Sequence, residues 1–444
     1  MTLPTATPRV AYLMSRFPKL TETFVLYEML AVESAGVAVD VYPLLRARDT
    51  GVHTEGATVR TKLAERFKPA RADAVMHAEA ADLVRRARYQ PLMSPAILAS
   101  QLYWLVRRPA AYAAALGTLV RANLGSRRLL GGALAFFPQA AHNARRMRAD
   151  GVTHVHAHFA THPAAMAWAI HRLTGIPYSF TAHGSDLHVD RHMLVEKVAE
   201  AAFVATVSEY NRRLIADTCG PRLGAAVRDK VHVVRCGVDT AVFSPPAAAG
   251  ETVDRPPFTV LCIGTLYEVK GHTYLVEACR RLVERGIDVR AWLVGEGLYR
   301  DRLAAQIAAA GLSGRVHLLG RRTRAEIADL LRQADALAVP SVPTADGRRE
   351  GIPVVLMEAM ASGVAVVASD LSGIPELVVD GETGLLAPPR DAGALADALA
   401  RLAGDAAFRR RLARAGRERV LTEYDVGRNA ARLAARFAAA GGAT

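Results

Sequence analysis

The sequence is poor in cysteine and aromatic residues and has no long apolar run. Its four cysteines, Cys219, Cys236, Cys262 and Cys279, lack the close pairing of zinc or redox motifs, so we expect buried, reduced thiols. The apolar stretches at 110–120 and 129–141 are too short to span a bilayer and contain glycine or proline. The N-terminus has no apolar core of a signal peptide. These absences predict a cytoplasmic globular protein that could meet a membrane only from its surface.

Acidic residues are the minority among the charges. Asp and Glu number 43 against 56 Lys and Arg, which gives a formal net charge of +13. Such an excess favours anionic partners, among them nucleotides, phosphorylated lipids, a membrane surface and nucleic acid. Most of the excess lies in residues 60–150, an alanine-rich segment with helical spacing that has 16 basic and 5 acidic residues. Two interpretations of this segment stay open, a solvated helical face and a surface for an acceptor or a membrane.

Short apolar segments typical of strands alternate with helical segments in two series. The first series has predicted strands at 9–14, 37–44, 152–159, 177–183, 202–208 and 231–237. The second has predicted strands at 258–264, 289–295, 315–320, 336–341, 364–369 and 384–389. Between them, residues 244–257 are rich in Pro, Ala and Gly and are predicted to be a linker. The alternation predicts two α/β domains, each with a mostly parallel, doubly wound sheet.

The segment "EGIPVVLME" places Glu350 and Glu358 around an otherwise apolar run. Pro353 is predicted to be the first residue of a helix, because proline lacks the N–H that is unpaired at that position. The amides of Gly351, Ile352 and Val354 would then lie at the positive end of the helix dipole, which suits an anion. Carboxylates accept hydrogen bonds from hydroxyl pairs of a ribose or a hexose. The alternative is one glutamate that stabilises the helix start and one that is solvated.

Two glycine-containing turns accompany this segment. Lys270 follows a predicted strand and precedes Gly271, and a lysine in such a loop binds phosphate oxygens as a point charge. Gly295 and Gly297 form a second turn from strand to helix, although this turn lacks the third glycine of the dinucleotide fingerprint.

Histidines cluster in the first half of the chain. They are His154, His156, His158, His162, His183 and His188. Alternation along a predicted strand puts residues 154, 156 and 158 on one face, but a metal site would need a carboxylate partner that the sequence does not locate. We interpret His183, which lies near Asp186 at a strand end, as a neutral histidine that forms a hydrogen bond to a sugar, with a structural histidine as the alternative.

Several motifs together resemble the retaining, nucleotide-sugar-dependent glycosyltransferases of family 4, also called glycosyl transferases group 1. They are "FPKLTETF" (17–24), "TAHGSDL" (181–187), "TVSEYNRRLI" (206–215), "CGVDTAVF" (236–243), "IGTLYEVKGH" (263–272) and "REGIPVVLMEAMASGVAVVASDLSGIPELVVDGETGLLAPP" (349–389). The first of these is similar to the branch that assembles exopolysaccharides such as colanic acid. The resemblance implies the GT-B fold, with two Rossmann-like doubly wound domains that face each other across a cleft and a helical insertion in the first.

The resemblance also implies domain boundaries and site residues. Residues 1–248 would bind the acceptor and carry the basic insertion at about 60–150, residues 256–415 would bind the nucleotide sugar, and a helix in 416–444 would cross back to the first domain. The implied catalytic residues are His183, Glu350 and Lys270. The implied donor-binding residues are Gly264, Thr265, Lys270, Gly295, Gly297, Arg321, Glu350, Gly351, Ile352, Pro353, Val354 and Glu358. The implied acceptor-side residues are Arg16, Phe17, Thr21, Glu22, Thr23 and Asp186.

One departure from the family pattern concerns the diphosphate. The family commonly has an arginine where this sequence has Thr265, and Arg321, Arg322, Arg348 and Arg349 are candidates to replace it. No Asp-x-Asp pair occurs in the sequence, so we expect no metal, and we expect no resident cofactor.

The expected function is transfer of a sugar from a nucleoside diphosphate to a glycan or lipid-linked acceptor. An anionic membrane surface is a further candidate partner, and a peripheral position on the inner face of the membrane stays open. A sugar phosphorylase or a nucleotide-sugar epimerase of the same fold is one alternative. A basic nucleic-acid-binding scaffold is another, although no recognised nucleic-acid motif accompanies the charge.

Overall fold

The computed structural model describes residues 8–18, 22–46, 80–246 and 257–441. The described chain forms two compact units. The first contains the residues up to Cys236 together with those from Val426 onward, and the second contains Gly237–Asp425. Thr21, most of the predicted linker and the first twenty residues of the basic insertion lie outside the described residues.

The first unit is built on a parallel sheet of six strands. Its strands are β1 (Arg9–Phe17), β2 (Ala38–Arg46), β3 (His154–His158), β4 (Tyr178–Ala182), β5 (Phe203–Thr206) and β6 (Val231–Val233). They lie in the order β2-β1-β3-β4-β5-β6. Strands β3, β4 and β5 are buried along their whole length, as expected for a parallel sheet with helices on both faces.

Helices cover both faces of this sheet. They are α1 (Thr23–Ser34), α2 (Ala80–Arg86), α3 (Pro95–Arg107), α4 (Pro109–Ala122), α5 (Arg127–Ala149), α6 (His162–Thr174), α7 (Ser185–His188), α8 (Leu194–Glu200), α9 (Glu209–Leu223) and α10 (Val227–Lys230). Helices α2–α5 confirm the predicted helical character of the described part of the basic insertion. One core cluster contains residues of α3–α6, and a second contains residues of α1 and of the last helix.

The second unit repeats the architecture. Its strands are β7 (Phe258–Ile263), β8 (Val289–Val294), β9 (Val316–Gly320), β10 (Ala336–Val339), β11 (Ala365–Ser369) and β12 (Leu385–Ala387). Its helices are α11 (His272–Glu284), α12 (Arg300–Ala309), α13 (Arg324–Gln333), α14 (Val354–Ala361), α15 (Ala392–Gly404) and α16 (Ala406–Glu423), with 3-10 turns at Glu268–Lys270 and Ile374–Glu376. The strand order is β12-β11-β10-β7-β8-β9, so all twelve strands predicted from the sequence are present, in two parallel sheets.

The last helix, α17 (Val426–Gly441), belongs to the first unit. It packs against α1 and buries Leu433 and Phe437. The Phe437 ring lies 5.2 Å from the His154 ring and 5.1 Å from the His156 ring. None of the helices in the described part of the chain is both long and apolar enough to cross a bilayer.

Each sheet has a position where the chain changes the direction in which it adds strands. In the first sheet this switch point lies between β1 and β3, and in the second it lies between β7 and β10. Ligands of open α/β sheets bind at the carboxyl ends of the strands at such points, because the loops that follow the two strands diverge and leave a crevice. Ligand sites are therefore expected at the loops that follow β1 and β3 and at those that follow β7 and β10.

Candidate functional site

The loops at the switch point of the second sheet bring Lys270 and Glu350 together. Lys270 follows β7 and Glu350 follows β10, and Lys270 Nζ lies 2.9 Å from Glu350 Oε2. Both side chains are largely buried, with exposed fractions of 21% and 19%. The two residues are 80 positions apart in the sequence, so the sheet order is what pairs them. The pair has the chemistry to bind a polyanion beside a group that carries hydroxyls.

Glycines hold this loop in place by allowing backbones to pack closely. A Cβ at Gly295 would lie 1.9 Å from the Gly264 carbonyl oxygen, and one at Gly297 would lie 2.5 Å from that of Leu266. A Cβ at Gly271, which has a φ of +66°, would lie 1.7 Å from the Pro340 carbonyl oxygen. Gly295, Gly297 and Gly271 are therefore required by contacts within the protein, and they fix the loop that carries Lys270. The half-buried Gly264 and Thr265 form the beginning of that loop.

Helix α14 begins at Val354, one residue later than predicted. Pro353 is its N-cap, with an extended ψ of 127°, so the prediction that Pro353 is the first helical residue was wrong by one position. The proline supplies no side chain that could cap the first turn. Gly351 and Ile352 precede it in the same loop. The Leu356 amide donates to the Pro353 carbonyl at 3.1 Å, whereas the amides of Val354 and Val355 come too early in the helix to have an intrahelical acceptor. This helix start lies directly after Glu350 and suits an anion.

Glu358 lies within α14 and has an unusual titration. Burial raises its pKa to about 7, and the positive charge of Arg324 counteracts part of that rise. Arg324 itself lies 3.2 Å from Asp239 and has its guanidinium over the Phe243 ring. A carboxylate that is costly to ionise in the free protein is well placed to accept hydrogen bonds from a ligand that supplies hydroxyl donors.

The arginines that could replace the missing cation at Thr265 occupy different surroundings. Arg321 is exposed, and Arg348 pairs with Asp346 at 3.0 Å on the surface. Arg322 lies 3.9 Å from Glu326. Arg349 is half-buried beside Glu350, and its Nε has no hydrogen-bond partner among the described residues. Arg349 is therefore the best placed of these candidates.

The loops at the switch point of the first sheet surround His183. Its Nε2 lies 3.0 Å from His158 Nδ1, and its Nδ1 lies 4.0 Å from the Cys236 sulfur. His158 Nε2 in turn lies 3.1 Å from Glu28 Oε1. Burial and the neighbouring His158 keep the pKa of His183 well below its ordinary value, so the ring is neutral. Both ring nitrogens face protein groups, so a sugar hydroxyl would have to displace the weak thiol contact to reach Nδ1.

The contact between His158 and His183 requires one N–H and one lone pair. A neutral His183 ring has one of each, so its Nδ1 takes the role that its Nε2 does not have.

Two phenylalanines enclose the His183 ring. Phe24 of α1 lies 4.8 Å from it and Phe159, directly after β3, lies 4.7 Å from it. Phe159 has a φ of 74°, which is unfavourable for a residue with a large side chain. Such backbone strain persists only where the surroundings enforce it and is common at functional sites. Phe24 is the last residue of the motif "FPKLTETF", which was predicted to lie on the acceptor side. This motif therefore contributes one of the two rings that enclose His183.

Asp186 maintains the backbone of this loop. Its buried carboxylate accepts hydrogen bonds from the N–H groups of Ala160, His183 and Gly184, at 2.7, 3.1 and 2.7 Å. Lys197, which is also buried, donates to the Ala160 carbonyl. Because backbone donors engage its oxygens, Asp186 positions His183, and its acceptor-side role stays a prediction.

The remaining acceptor-side predictions lie around the first turn of α1. Arg16 is exposed near the end of β1, whereas Phe17 is buried and its carbonyl accepts a hydrogen bond from Tyr89. Glu22 is the N-cap of α1 and Thr23 is its first residue. Thr21 lies outside the described residues.

The structure supplies a carboxylate near the β3 histidines that the sequence could not locate. Glu28, His156 and His158 present ligand atoms that all lie within 4.8 Å of one another. However, both nitrogens of His156 already have hydroxyl partners, Ser179 at 2.8 Å and Thr181 at 3.0 Å. His154 lies 2.7 Å from the same serine hydroxyl, which favours a structural role for these two histidines. His162 and His188 lie elsewhere, against the rings of Phe136 and Tyr210.

Replacement of Glu28 by alanine is expected to destabilise the first unit. Glu28 Oε1 lies 3.1 Å from His158 Nε2 and accepts a hydrogen bond from the Tyr12 hydroxyl at 3.4 Å. Both partners are buried, so loss of the carboxylate should cost about 1–3 kcal/mol of unfolding free energy. Glu33 of the same helix pairs with Arg86 on a more exposed surface, so Glu33→Ala should cost about 0–1 kcal/mol. Thermal unfolding of both variants makes the comparison. Equal shifts in melting temperature would show that the buried contacts of Glu28 stabilise the unit no more than the ion pair between Glu33 and Arg86 does. Glu28→Gln should recover part of the loss.

Comparison with known proteins identifies the family. A family model described as "Glycosyl transferases group 1" matches residues 248–419, and one described as "Glycosyltransferase Family 4" matches residues 104–242. The phosphatidyl-myo-inositol mannosyltransferase of Mycobacterium leprae is 33% identical over 300 residues, which cover 66% of this chain and 75% of that protein. The chain belongs to the group 1 glycosyltransferases. The resemblance inferred from the motifs is thereby confirmed.

Other relatives of this group 1 glycosyltransferase match over shorter regions. The putative colanic acid biosynthesis glycosyltransferase WcaL of Escherichia coli K12 is 43% identical over 174 residues, which cover 39% of this chain and 42% of WcaL. The chain spans about half the length of the first curated relatives that it matches. Among solved structures, Anabaena Alr3699/HepE in complex with UDP has a TM-score of 0.68 at 18% identity, covering 97% of this chain and 99% of that one. This similarity shows the fold, two Rossmann-like domains of the GT-B type.

Proposed function

We propose that this group 1 glycosyltransferase moves a sugar from a nucleoside diphosphate to a hydroxyl of a glycan or lipid-linked acceptor. The observation that carries the proposal is the arrangement at the switch point of the second sheet. There Lys270 and Glu350 lie 2.9 Å apart, next to the uncapped start of α14. A cation, helix-start amides and a carboxylate match the diphosphate and the hydroxyls of a nucleotide sugar. We further propose that no metal ion and no resident cofactor take part.

The chemistry follows from where charge accumulates. As the bond between the anomeric carbon and the diphosphate oxygen breaks, negative charge grows on the diphosphate, and Lys270 and the amides of Gly351, Ile352 and Val354 stabilise it. The acceptor oxygen bonds to the anomeric carbon, and its proton passes to a phosphate oxygen of the leaving group. Attack on the face from which the diphosphate departs retains the anomeric configuration. Glu358 accepts hydrogen bonds from the ribose hydroxyls, and Glu350 holds the transferred sugar.

Names of similar proteins support the choice of first substrates. HepE has been solved with UDP and with UDP-glucose, which makes uridine nucleotides the first donors to test. WcaL is named for colanic acid biosynthesis, which supports an exopolysaccharide or other cell-envelope glycan as the product. The described cysteines are free thiols, which suits the reducing cytoplasm. We therefore propose synthesis on the cytoplasmic side of the membrane.

The function is tested by turnover with nucleotide sugars and glycan or lipid-linked acceptors. We expect release of the nucleoside diphosphate only when an acceptor is present, and a product whose anomeric proton coupling in NMR matches that of the donor. Activity should be the same with and without a chelator. Inverted product or loss of activity in chelator would contradict the mechanism. Turnover that requires orthophosphate would indicate a phosphorylase, and conversion of the donor without an acceptor would indicate an epimerase.

A further inference from the structure

Helix α3 of the first unit has apolar side chains on two opposite faces. Its inner face packs against α5 and buries Ile97, Ser100 and Trp104. Its outer face exposes large apolar side chains at helical spacing, namely Leu98 (57% exposed), Leu102 (64%), Leu105 (48%) and Val106 (77%). Met93, just before the helix, is 71% exposed. We call these five residues the outer stripe of α3. A contiguous apolar surface of this kind marks a contact with an apolar partner.

The chain segment that contains the outer stripe has charges of a single sign. Residues 83–149 contain eleven arginines and not one lysine, aspartate or glutamate. Arg107 follows the stripe directly and is exposed, as are Arg121 and Arg127. Some of the arginines have internal roles, since Arg108 donates to the Leu173 carbonyl. Arg85, Arg86 and Arg88 pair with Asp82, Glu33 and Asp150. The excess positive charge of the segment therefore lies in residues 107–148.

The arginines at the start of α5 do not stabilise the helix. Arg127 and Arg128 are its first two residues and its first turn has no acid, although the helix dipole disfavours cations at that end. The Arg128 guanidinium lies 3.9 Å from an Asp190 carboxylate oxygen, which makes a weak ion pair, and 59% of the Arg128 side chain is exposed. Positive charge kept at an unfavourable position suits an external anionic partner.

We propose that the outer stripe of α3 docks on the surface of an anionic lipid bilayer, with the arginines at the headgroups. Apolar side chains that enter the boundary between headgroups and acyl chains, flanked by arginine, are typical of helices that lie in a membrane surface. With 13 residues, α3 is too short to cross a bilayer, so it lies along one. A second copy of the chain would bring like charges together, and nucleic acid would leave the stripe exposed to water. The inference needs no nucleotide, so it stands independently of the donor site.

Vesicle sedimentation with the full chain tests this docking. The vesicles are phosphatidylcholine alone and an equimolar mixture of phosphatidylcholine and phosphatidylglycerol. We expect binding to the anionic vesicles that weakens with salt. The double variant Leu102→Gln/Val106→Gln should bind roughly tenfold less, because each apolar side chain contributes to partitioning. Arg107→Glu should also bind less. Matched controls are Val189→Gln, an exposed apolar residue outside the stripe, and Arg414→Glu, an exposed arginine of α16; both should bind like the wild type.

The outcomes separate docking on lipid from the alternatives. Equal sedimentation with both kinds of vesicle, or wild-type binding by the double variant, would overturn the proposal. Self-association without lipid that the double variant abolishes would assign the stripe to a second copy and would also overturn it. Because the substituted side chains are exposed, the double variant should keep the melting temperature of the wild type. Nucleotide-sugar binding should be unchanged in it, so failure of vesicle binding is distinguishable from failure of the donor site.

Discussion

Lys270→Met is expected to weaken nucleotide-sugar binding by roughly 30- to 1,000-fold, because loss of one partner from a largely buried charged hydrogen bond costs about 2–4 kcal/mol. In the free protein this lysine is already paired with Glu350 at 2.9 Å, so its charge is held in place before the ligand arrives. Calorimetric titration with a nucleotide sugar measures the loss. Lys230→Met is the matched control, because Lys230 belongs to the first unit and donates to a backbone carbonyl there.

Substitution of Glu350, the partner of Lys270, is expected to have the opposite effect on binding of the diphosphate. Glu350 repels a diphosphate, so Glu350→Gln should bind the nucleoside diphosphate without a sugar at least as tightly as the wild type does. If Glu350 holds the sugar, the same variant should lose the extra affinity that the sugar provides. Equal weakening by Lys270→Met and Glu350→Gln for the diphosphate alone would show that the pair acts as a structural ion pair and not as an anion site.

Nucleotide-sugar binding is expected to strengthen about tenfold between pH 6 and pH 8, because the ionised fraction of a carboxyl with a pKa near 7 rises by that factor. Burial raises the pKa of Glu358 in the free protein, and ribose hydroxyls donate to its ionised form. Binding should therefore release a proton near pH 7, which calorimetry in buffers of different ionisation enthalpy detects. The diphosphate of a nucleotide sugar is esterified at both ends, so it does not titrate between pH 6 and pH 8. Glu358→Gln should bind weakly at every pH, and an unchanged pH profile in this variant would contradict the role of Glu358.

The same carboxyl affects stability in a defined direction. The pKa of Glu358 is about 7 in the folded chain against an ordinary value of 4.5, so the folded state holds more protons than the unfolded state between these pH values. Stability therefore falls as the pH rises through that window, and it falls less in Glu358→Gln.

Much of the fold was predictable because the strands are short, apolar and punctuated by turns. Lys270 and Glu350 could also be predicted, since each stands where a strand or helix begins or ends. Their pairing depends on the order β10-β7 in the sheet, which no local pattern of residues encodes. The start of α14 was misplaced by one residue because proline fits both the N-cap and the first helical position.

The surroundings of His183 were largely missed. Glu28 and Phe24 are four residues apart on α1 and read as part of an ordinary amphipathic helix, and their contacts with His158 and His183 arise because β1 lies next to β3. The sequence offered one signal for these contacts. Phe24 and Glu28 share a helical face, and the histidines of β3 alternate along the strand. The sequence placed Asp186 near His183 on the acceptor side, but it did not show that backbone N–H groups of the loop donate to its carboxylate.

The most direct measurement is calorimetric titration of the purified protein with a panel of nucleoside diphosphates and their sugars, repeated with Lys270→Met and Glu358→Gln. We predict that the sugars of one nucleotide bind to the wild type with one site per chain, and that each variant loses that binding while keeping the wild-type circular dichroism spectrum. Absence of binding by every member of the panel, or equal binding by the wild type and both variants, would contradict a nucleotide-sugar site at Lys270, Glu350 and Glu358.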